Sequence, residues 1–164
     1  MSGAVLLLAV LALAGCGGSG SKPPAPLRGD GYGFSAPGGW KVSRSTASVA
    51  AADGTEAVSV TTYRLTRTYR PALRRQAVKE LDRVAGTLAA QLGGKVIVHR
   101  VVTVAGMPAR QYDIAFTRKG KALVERITFV LHGRREYELL CRFEEGKDEP
   151  ACALLERSFR LDGG

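Results

Sequence analysis

The chain has 164 residues, with 24 Lys and Arg against 15 Asp and Glu, and a formal net charge of +9. That length suits one domain with a sizeable core, and the basic balance points to anionic partners such as lipid headgroups or acidic polymers. Two histidines and three cysteines are too few for a structural zinc site once one cysteine is set aside below, so no metal and no cofactor is expected.

The N-terminal run Val5-Leu6-Leu7-Leu8-Ala9-Val10-Leu11-Ala12 is too short to span a bilayer, which takes about 20 residues, and suits the core of an export signal. Met1-Ser2-Gly3 carries no Lys or Arg, so the positive n-region rests on the α-amino group unless the true start lies upstream. Leu13-Ala14-Gly15-Cys16 follows and resembles the lipobox at which bacterial lipoproteins are acylated and cleaved. Residues 1–15 are therefore expected to be a signal peptide. Cys16 is the expected lipid attachment site, holding the protein on the extracytoplasmic face of the cell membrane. Two acyl chains anchor stably where one does not, at about 0.8 kcal/mol per buried CH2. No Lys, Arg, Asp or Glu precedes Cys16, so the mature chain keeps the whole +9. Outside the cytoplasm nucleic acid is not an expected partner. The use of Arg over Lys, with abundant Ala and Gly, also fits a GC-rich genome.

Residues 16–29 include Gly17-Gly18-Ser19-Gly20-Ser21-Lys22-Pro23-Pro24-Ala25-Pro26, flexible and extended by composition, and read as a tether. Residues 30–162 are left as a single α+β domain. Tyr32-Gly33-Phe34-Ser35 and Trp40-Lys41-Val42 predict two short strands around an Ala36-Pro37-Gly38-Gly39 turn, with Trp40 as a core anchor. Gly29-Asp30-Gly31-Tyr32-Gly33 is not a phosphate loop, because it follows the tether and leads into extended chain. Residues 57–65 alternate as a strand. Leu73, Ala77, Leu81, Val84, Leu88 and Leu92 then recur at three- and four-residue steps, predicting one long helix from near Pro71 to Gly93-Gly94. Arg70, Arg74 and Arg75 lie at its start, off that apolar face.

Residues 95–104 are rich in Val and Ile and predict a strand. Three more follow in hairpin order, turned at 105–108, at Lys119-Gly120 and at Gly133-Arg134-Arg135. Tyr112, Ile114 and Phe116 share one parity; Leu123, Ile127, Phe129 and Leu131 another; Tyr137, Leu139, Cys141 and Phe143 a third. Consecutive hairpins imply an antiparallel meander. A last helix begins near Asp148-Glu149-Pro150 and aligns Cys152, Leu155 and Phe159. Strand parity and helix spacing both turn Cys141 and Cys152 inward, and an oxidising compartment favours a disulfide between them, worth about 2 to 3 kcal/mol.

With these elements in place, Tyr32-Gly33-Phe34-Ser35-Ala36-Pro37-Gly38-Gly39-Trp40, the lone long helix, the hairpins and Ser158-Phe159 resemble the PsbP-like fold group, and within it the actinobacterial lipoproteins of the LpqN type. The resemblance implies an antiparallel sheet with helices packed on both faces, an α/β/α sandwich, and a noncatalytic accessory or binding role. It brings no catalytic residue, and nothing here points to a photosynthetic partner.

The expected function is thus a noncatalytic, lipid-anchored envelope module for a lipid, glycolipid or envelope protein. The alternative is electrostatic docking to anionic lipid or wall polymer through Arg70, Arg74, Arg75, Arg118, Lys119, Lys121, Arg134 and Arg135. A binding module should hold an apolar pocket between the long helix and the sheet. An envelope hydrolase is disfavoured: there is no Gly-x-Ser-x-Gly element, His99 and His132 read as structural or solvated, and Asp113 and Glu125 have opposed parities. Metabolic labelling with a lipid precursor is expected to mark the wild-type protein, and Cys16→Ala is expected to abolish both the label and membrane partition; a Cys16→Ala form still sedimenting with membranes would refute the anchor.

Overall fold

A computed structural model describes residues 22–162. The expected signal peptide, Cys16 and the first part of the tether lie outside the described residues. The elements in chain order are β1 (Ala25–Gly29), β2 (Tyr32–Ala36), β3 (Lys41–Arg44), β4 (Ser48–Asp53), β5 (Glu56–Arg64), α1 (Arg74–Gln91), β6 (Lys95–Val104), β7 (Met107–Arg118), β8 (Lys121–His132), β9 (Arg135–Glu144), α2 (Pro150–Ser158) and β10 (Arg160–Leu161). A seven-stranded antiparallel sheet has the order β3-β4-β5-β9-β8-β7-β6, and β1, β2 and β10 form a second, three-stranded sheet.

The hairpins follow from their turns. Ala105 and Gly106, then Lys119 and Gly120, all have positive φ, the requirement of two-residue type I′ loops that continue the strand twist. Alternation then decides what each face carries. On one face Tyr112, Ile114, Ile127 and Phe129 meet Leu81, Ala85 and Ala89 of α1, with Val84, Leu88 and Leu92 alongside. On the other, Val58, Val60, Val130, Leu139 and Cys141 meet Cys152 and Leu155 of α2 and Tyr32 and Phe34 of the small sheet. This is an α+β fold with helices on opposite faces of an antiparallel sheet.

The long helix starts later than its apolar repeat predicts. Pro71–Leu73 forms a single 3-10 turn before α1. Its end is where glycine is required: Gly93 has φ +65°, and a side chain on Gly94 would meet the Ala115 carbonyl oxygen at 2.3 Å.

Two expectations are corrected. Part of the stretch read as tether is β1, which pairs with β2 from Ala25 opposite Ala36 to Gly29 opposite Tyr32, so the folded part begins at least at Ala25 and not at residue 30. Pro26 is tolerated because β1 is an outer strand, and Leu27 points inward at 5% exposure. β4 was not expected, because Val49-Ala50-Ala51-Ala52 has little β-branched signal; it forms because Val49 and Ala51 fill the core between β3 and β5. Trp40 is half-buried against that core.

Cys141 and Cys152 are joined, with Cα atoms 5.4 Å apart, and both are buried. The bond staples α2 to β9. Replacing both by alanine is expected to lower unfolding free energy by about 3 kcal/mol, from the loop-closure entropy of a short loop. Urea denaturation reads this as a lower midpoint, and an unchanged midpoint would show that packing alone holds α2.

Candidate functional site

At one end of the large sheet, the turns after β6 and β8 meet the chain leaving α2. Between them lies an open cavity of about 830 Å³. Met107, Tyr137, Phe159 and Leu161 supply its apolar lining, and Arg134, Arg135 and Arg160, with His132 and Asp162, its polar rim; Asp162 is shared with Arg28 at 3.8 Å. The aromatic wall is rigid: Tyr137 and Phe159 stack edge-to-face with centroids 5.7 Å apart, and Tyr32 packs on both. Arg135 is committed, donating to Asp30 Oδ2 at 2.8 Å and to the Asp30 carbonyl at 2.6 Å. Arg134 only reaches the Thr66 carbonyl at 3.4 Å, and Arg160 the Ser158 carbonyl at 3.5 Å. Neither is paired with a carboxylate among the described residues. A planar guanidinium with free N–H groups above an apolar wall suits a carboxylate or phosphate with hydrocarbon attached.

The basic residues singled out in the sequence fall at two places. Arg134 and Arg135 stand at the cavity. Arg70, Arg74 and Arg75 are near that end, because the chain before α1 is tied to the same turn: the Leu65 N–H donates to the Arg134 carbonyl at 2.9 Å and the Tyr69 N–H to the Gly133 carbonyl at 2.7 Å. Arg118, Lys119 and Lys121 sit at the opposite end of β8, about 35 Å away by strand rise, and Lys121 is paired with Glu144 at 2.6 Å. They do not form one surface. Arg160 and Met107 were not singled out in the sequence, since only the return of the chain through β10 and the turn after β6 brings them to the cavity.

Between α1 and the sheet there is a smaller apolar groove of about 220 Å³, lined by Leu65, Tyr69, Leu73, Ala77, Leu81 and Leu131, with Arg67, Glu136 and Glu80 at its edge, Glu80 being paired with Arg83 at 2.9 Å. Glu136 and Glu138 share this face of β9. Burial raises Glu136, and burial followed by repulsion from Glu136 and Glu125 pushes Glu138 up to about 7.

Two polar clusters flank the helices. Under α1, the Tyr112 hydroxyl donates to Asp82 Oδ1 at 2.6 Å, Arg110 donates to the same oxygen at 3.0 Å, and Arg110 Nη2 donates to His99 Nδ1 at 2.9 Å. Burial, then the bond to Asp82, pushes the Tyr112 phenol up to about 12. The adjoining space is about 30 Å³, room for no more than a few waters, so the cluster is a clamp on α1. Under α2, Arg126 forks onto Asp113 at 2.8 and 3.0 Å and also bonds Glu149, while Gln111 Nε2 donates to Thr128 and Glu156, both at 2.8 Å. Asp113 and Glu125 lie on opposite faces, Glu125 accepting from Arg142 at 2.7 Å.

No protein-family model matches the chain, and no curated protein matches it in sequence. Solved structures do match in shape. Cyanobacterial PsbP (CyanoP) from Synechocystis is 15% identical, over 91% of this chain and 98% of that one, with a TM-score of 0.66. A protein from Bacteroides thetaiotaomicron is 13% identical over 81% of this chain at a TM-score of 0.58, and this chain spans 46% of its length. LpqN, involved in cell envelope biogenesis of Mycobacterium tuberculosis, is 14% identical over 85% of this chain and 86% of that one at a TM-score of 0.47, which does not place this chain among LpqN-type proteins. At such identities the likeness is one of fold, and the fold is PsbP-like. Among the described residues no helix is long and apolar enough to cross a membrane.

Glu138 gives this face a pH dependence of definite sign. Its pKa is raised on folding, so the native state holds the proton more tightly than the unfolded chain. Stability from this group is fully present below the ordinary glutamate pKa and is lost as pH rises through about 7. Thermal melts are expected to fall from pH 5 to pH 8, and Glu138→Gln to flatten that slope; an equal slope in the variant would assign it elsewhere.

Proposed function

We propose that the protein is a noncatalytic, lipid-anchored module of the bacterial cell envelope that binds an anionic amphiphile, a lipid or glycolipid, in the cavity at the end of the sheet. The observation that carries this reading is an apolar wall of Met107, Tyr137, Phe159 and Leu161 beneath two arginines, Arg134 and Arg160, that have no carboxylate partner among the described residues. Hydrocarbon laid on that wall gains about 25 cal/mol per Å² removed from water, and a forked arginine contact adds a charge-assisted bond that fixes the headgroup. The Leu13-Ala14-Gly15-Cys16 pattern supports attachment through Cys16 to the extracytoplasmic face of the membrane, and the bond between Cys141 and Cys152 fits an oxidising compartment. The noncatalytic part of the reading is supported by the clamp of Asp82, Arg110 and Tyr112, whose polar groups face one another and no substrate-sized space.

Native mass spectrometry of the protein from its own membrane is expected to retain one anionic lipid per chain. Titration with a fluorescent phosphatidylglycerol analogue in micelles should give a saturable isotherm, weakened at least about tenfold by Arg134→Ala with Arg160→Ala. Binding that vanishes with salt and shows no fixed stoichiometry would favour simple electrostatic docking; no binding of either kind would overturn the proposal.

A further inference from the structure

The two edges of the large sheet are built differently. β3 has four residues with Lys41 and Arg44 at its ends, and short charged edges resist pairing with other chains. β6 has ten residues and pairs only with β7. A bulge at Ile97 interrupts its start, but Val98 to Val104 run in unbroken register. No backbone group of Lys95–Val104 bonds outside that pair among the described residues. The strand is also apolar where it is open: Val96, Ile97 and Val101 are 37%, 45% and 52% exposed, three of the five large apolar side chains exposed among the described residues.

The charge around this edge is positive. Lys95 and Arg100 lie on β6, and Arg118 and Lys119 extend the sheet past the Lys95 end, since Lys95 pairs opposite Ala115. Lys95, Arg118 and Lys119 have no carboxylate partner among the described residues, and Arg100 approaches Asp113 only at 3.8 Å. Pairing β6 with a second copy of itself would double that positive charge on two chains of net +9. An acidic strand would be attracted instead.

We propose that β6 is a docking strand for an extended acidic segment of another protein, which adds to the sheet through backbone hydrogen bonds along Val98 to Val104 and sets its carboxylates against Lys95, Arg100 and Arg118. Strand addition draws affinity from the main chain and selectivity from alternate side chains, and here the selective elements are the exposed valines and the flanking cations. This surface adjoins the cavity at Ala105, but no residue from Lys95 to Val104 lines the cavity, and the proposal stands without the amphiphile reading.

Hydrogen exchange of the full chain in detergent tests it, using as probe a blocked octapeptide of alternating valine and glutamate, with a valine and lysine octapeptide as control. At about ten times its dissociation constant, the acidic probe is expected to slow exchange in 95–104 about tenfold. The lysine probe should leave it unchanged. Both Lys95 and Val101 are exposed, so Lys95→Glu with Val101→Glu should keep the fold, read as unchanged exchange in 121–144, and should lose the acidic peptide's effect. Equal protection by both peptides, no protection by either, or protection confined to 131–137 and 159–162 would overturn the proposal. So would a free protein whose 95–104 amides are already protected along the open side, which would mean that the chain's own residues or a second copy occupy the edge.

Discussion

Strand β8 is covered on both faces, and this double burial is the constraint from which the rest of the architecture follows. From Leu123 to Val130 every residue but Arg126 is buried, and the Arg126 side chain is itself only 12% exposed. A strand in that position needs a helix above and a helix below, because each face alone would leave large side chains in water, at a cost of about 1.5 to 3 kcal/mol apiece. α1 meets one face through Leu81, Ala85 and Ala89, and the clamp from Asp82 to Tyr112 and Arg110 fixes its position along the sheet. α2 meets the other through Cys152 and Leu155, fixed by its disulfide and by Arg126 reaching Glu149. Once α2 is pinned, the chain must leave it toward β2, where β10 pairs Arg160 with Gly33. That return path places Phe159, Arg160 and Leu161 beside the turns after β6 and β8 and thereby creates the cavity.

The elements that could be read from sequence are those with a strong period and an unambiguous stop. The long helix has both: its apolar repeat gave the face, and Gly93 and Gly94 gave the end. The four long strands were legible for the same reason, with turns such as Lys119-Gly120 between them. What escaped was structure made by tertiary contact. β1 follows Pro23-Pro24 and contains Pro26, tether-like sequence that only the pairing of Leu27 opposite Phe34 makes a strand. β4 is mostly alanine, a poor strand former alone, and is set by neighbours on both sides. The polar parity of β7 and β8 was equally opaque. Gln111, Asp113, Arg126 and Thr128 lie under α2 and bond to one another, to Glu149 and to Glu156, and no buried side-chain polar atom among the described residues lacks a partner.

The functional residues divide along the same line. Arg134 and Arg135 were visible because a glycine turn with adjacent arginines is a local pattern. Their partners at the cavity come from β7, β9 and the end of the chain, separations that no spacing in the sequence encodes. Charge counts alone also merged two places that the fold holds apart, since Arg118, Lys119 and Lys121 and the pair Arg134 and Arg135 terminate opposite ends of β8.

The distribution of ion pairs then bears on which ligand each space could hold. The chain has an excess of cations, yet Glu136 and Glu138 have no ion-pair partner among the described residues, while Glu125 one strand away is taken by Arg142. Scarcity of cations cannot explain that; position does, because β9 turns these two carboxylates toward the α1 side, where burial raises their pKa values. The groove beside α1 is therefore apolar with Glu136, Glu80 and Arg67 at its edge, and the cavity at the sheet end is apolar with Arg134, Arg135, Arg160 and Asp162 at its rim. The two spaces differ in how many cations they hold without a carboxylate partner among the described residues. An anion entering the groove would meet Glu136 at a cost in repulsion and desolvation. The same anion at the cavity meets Arg134 and Arg160, whose charges are not already spent on a carboxylate of the described chain, and this asymmetry favours the cavity over the larger count of arginines elsewhere on the surface.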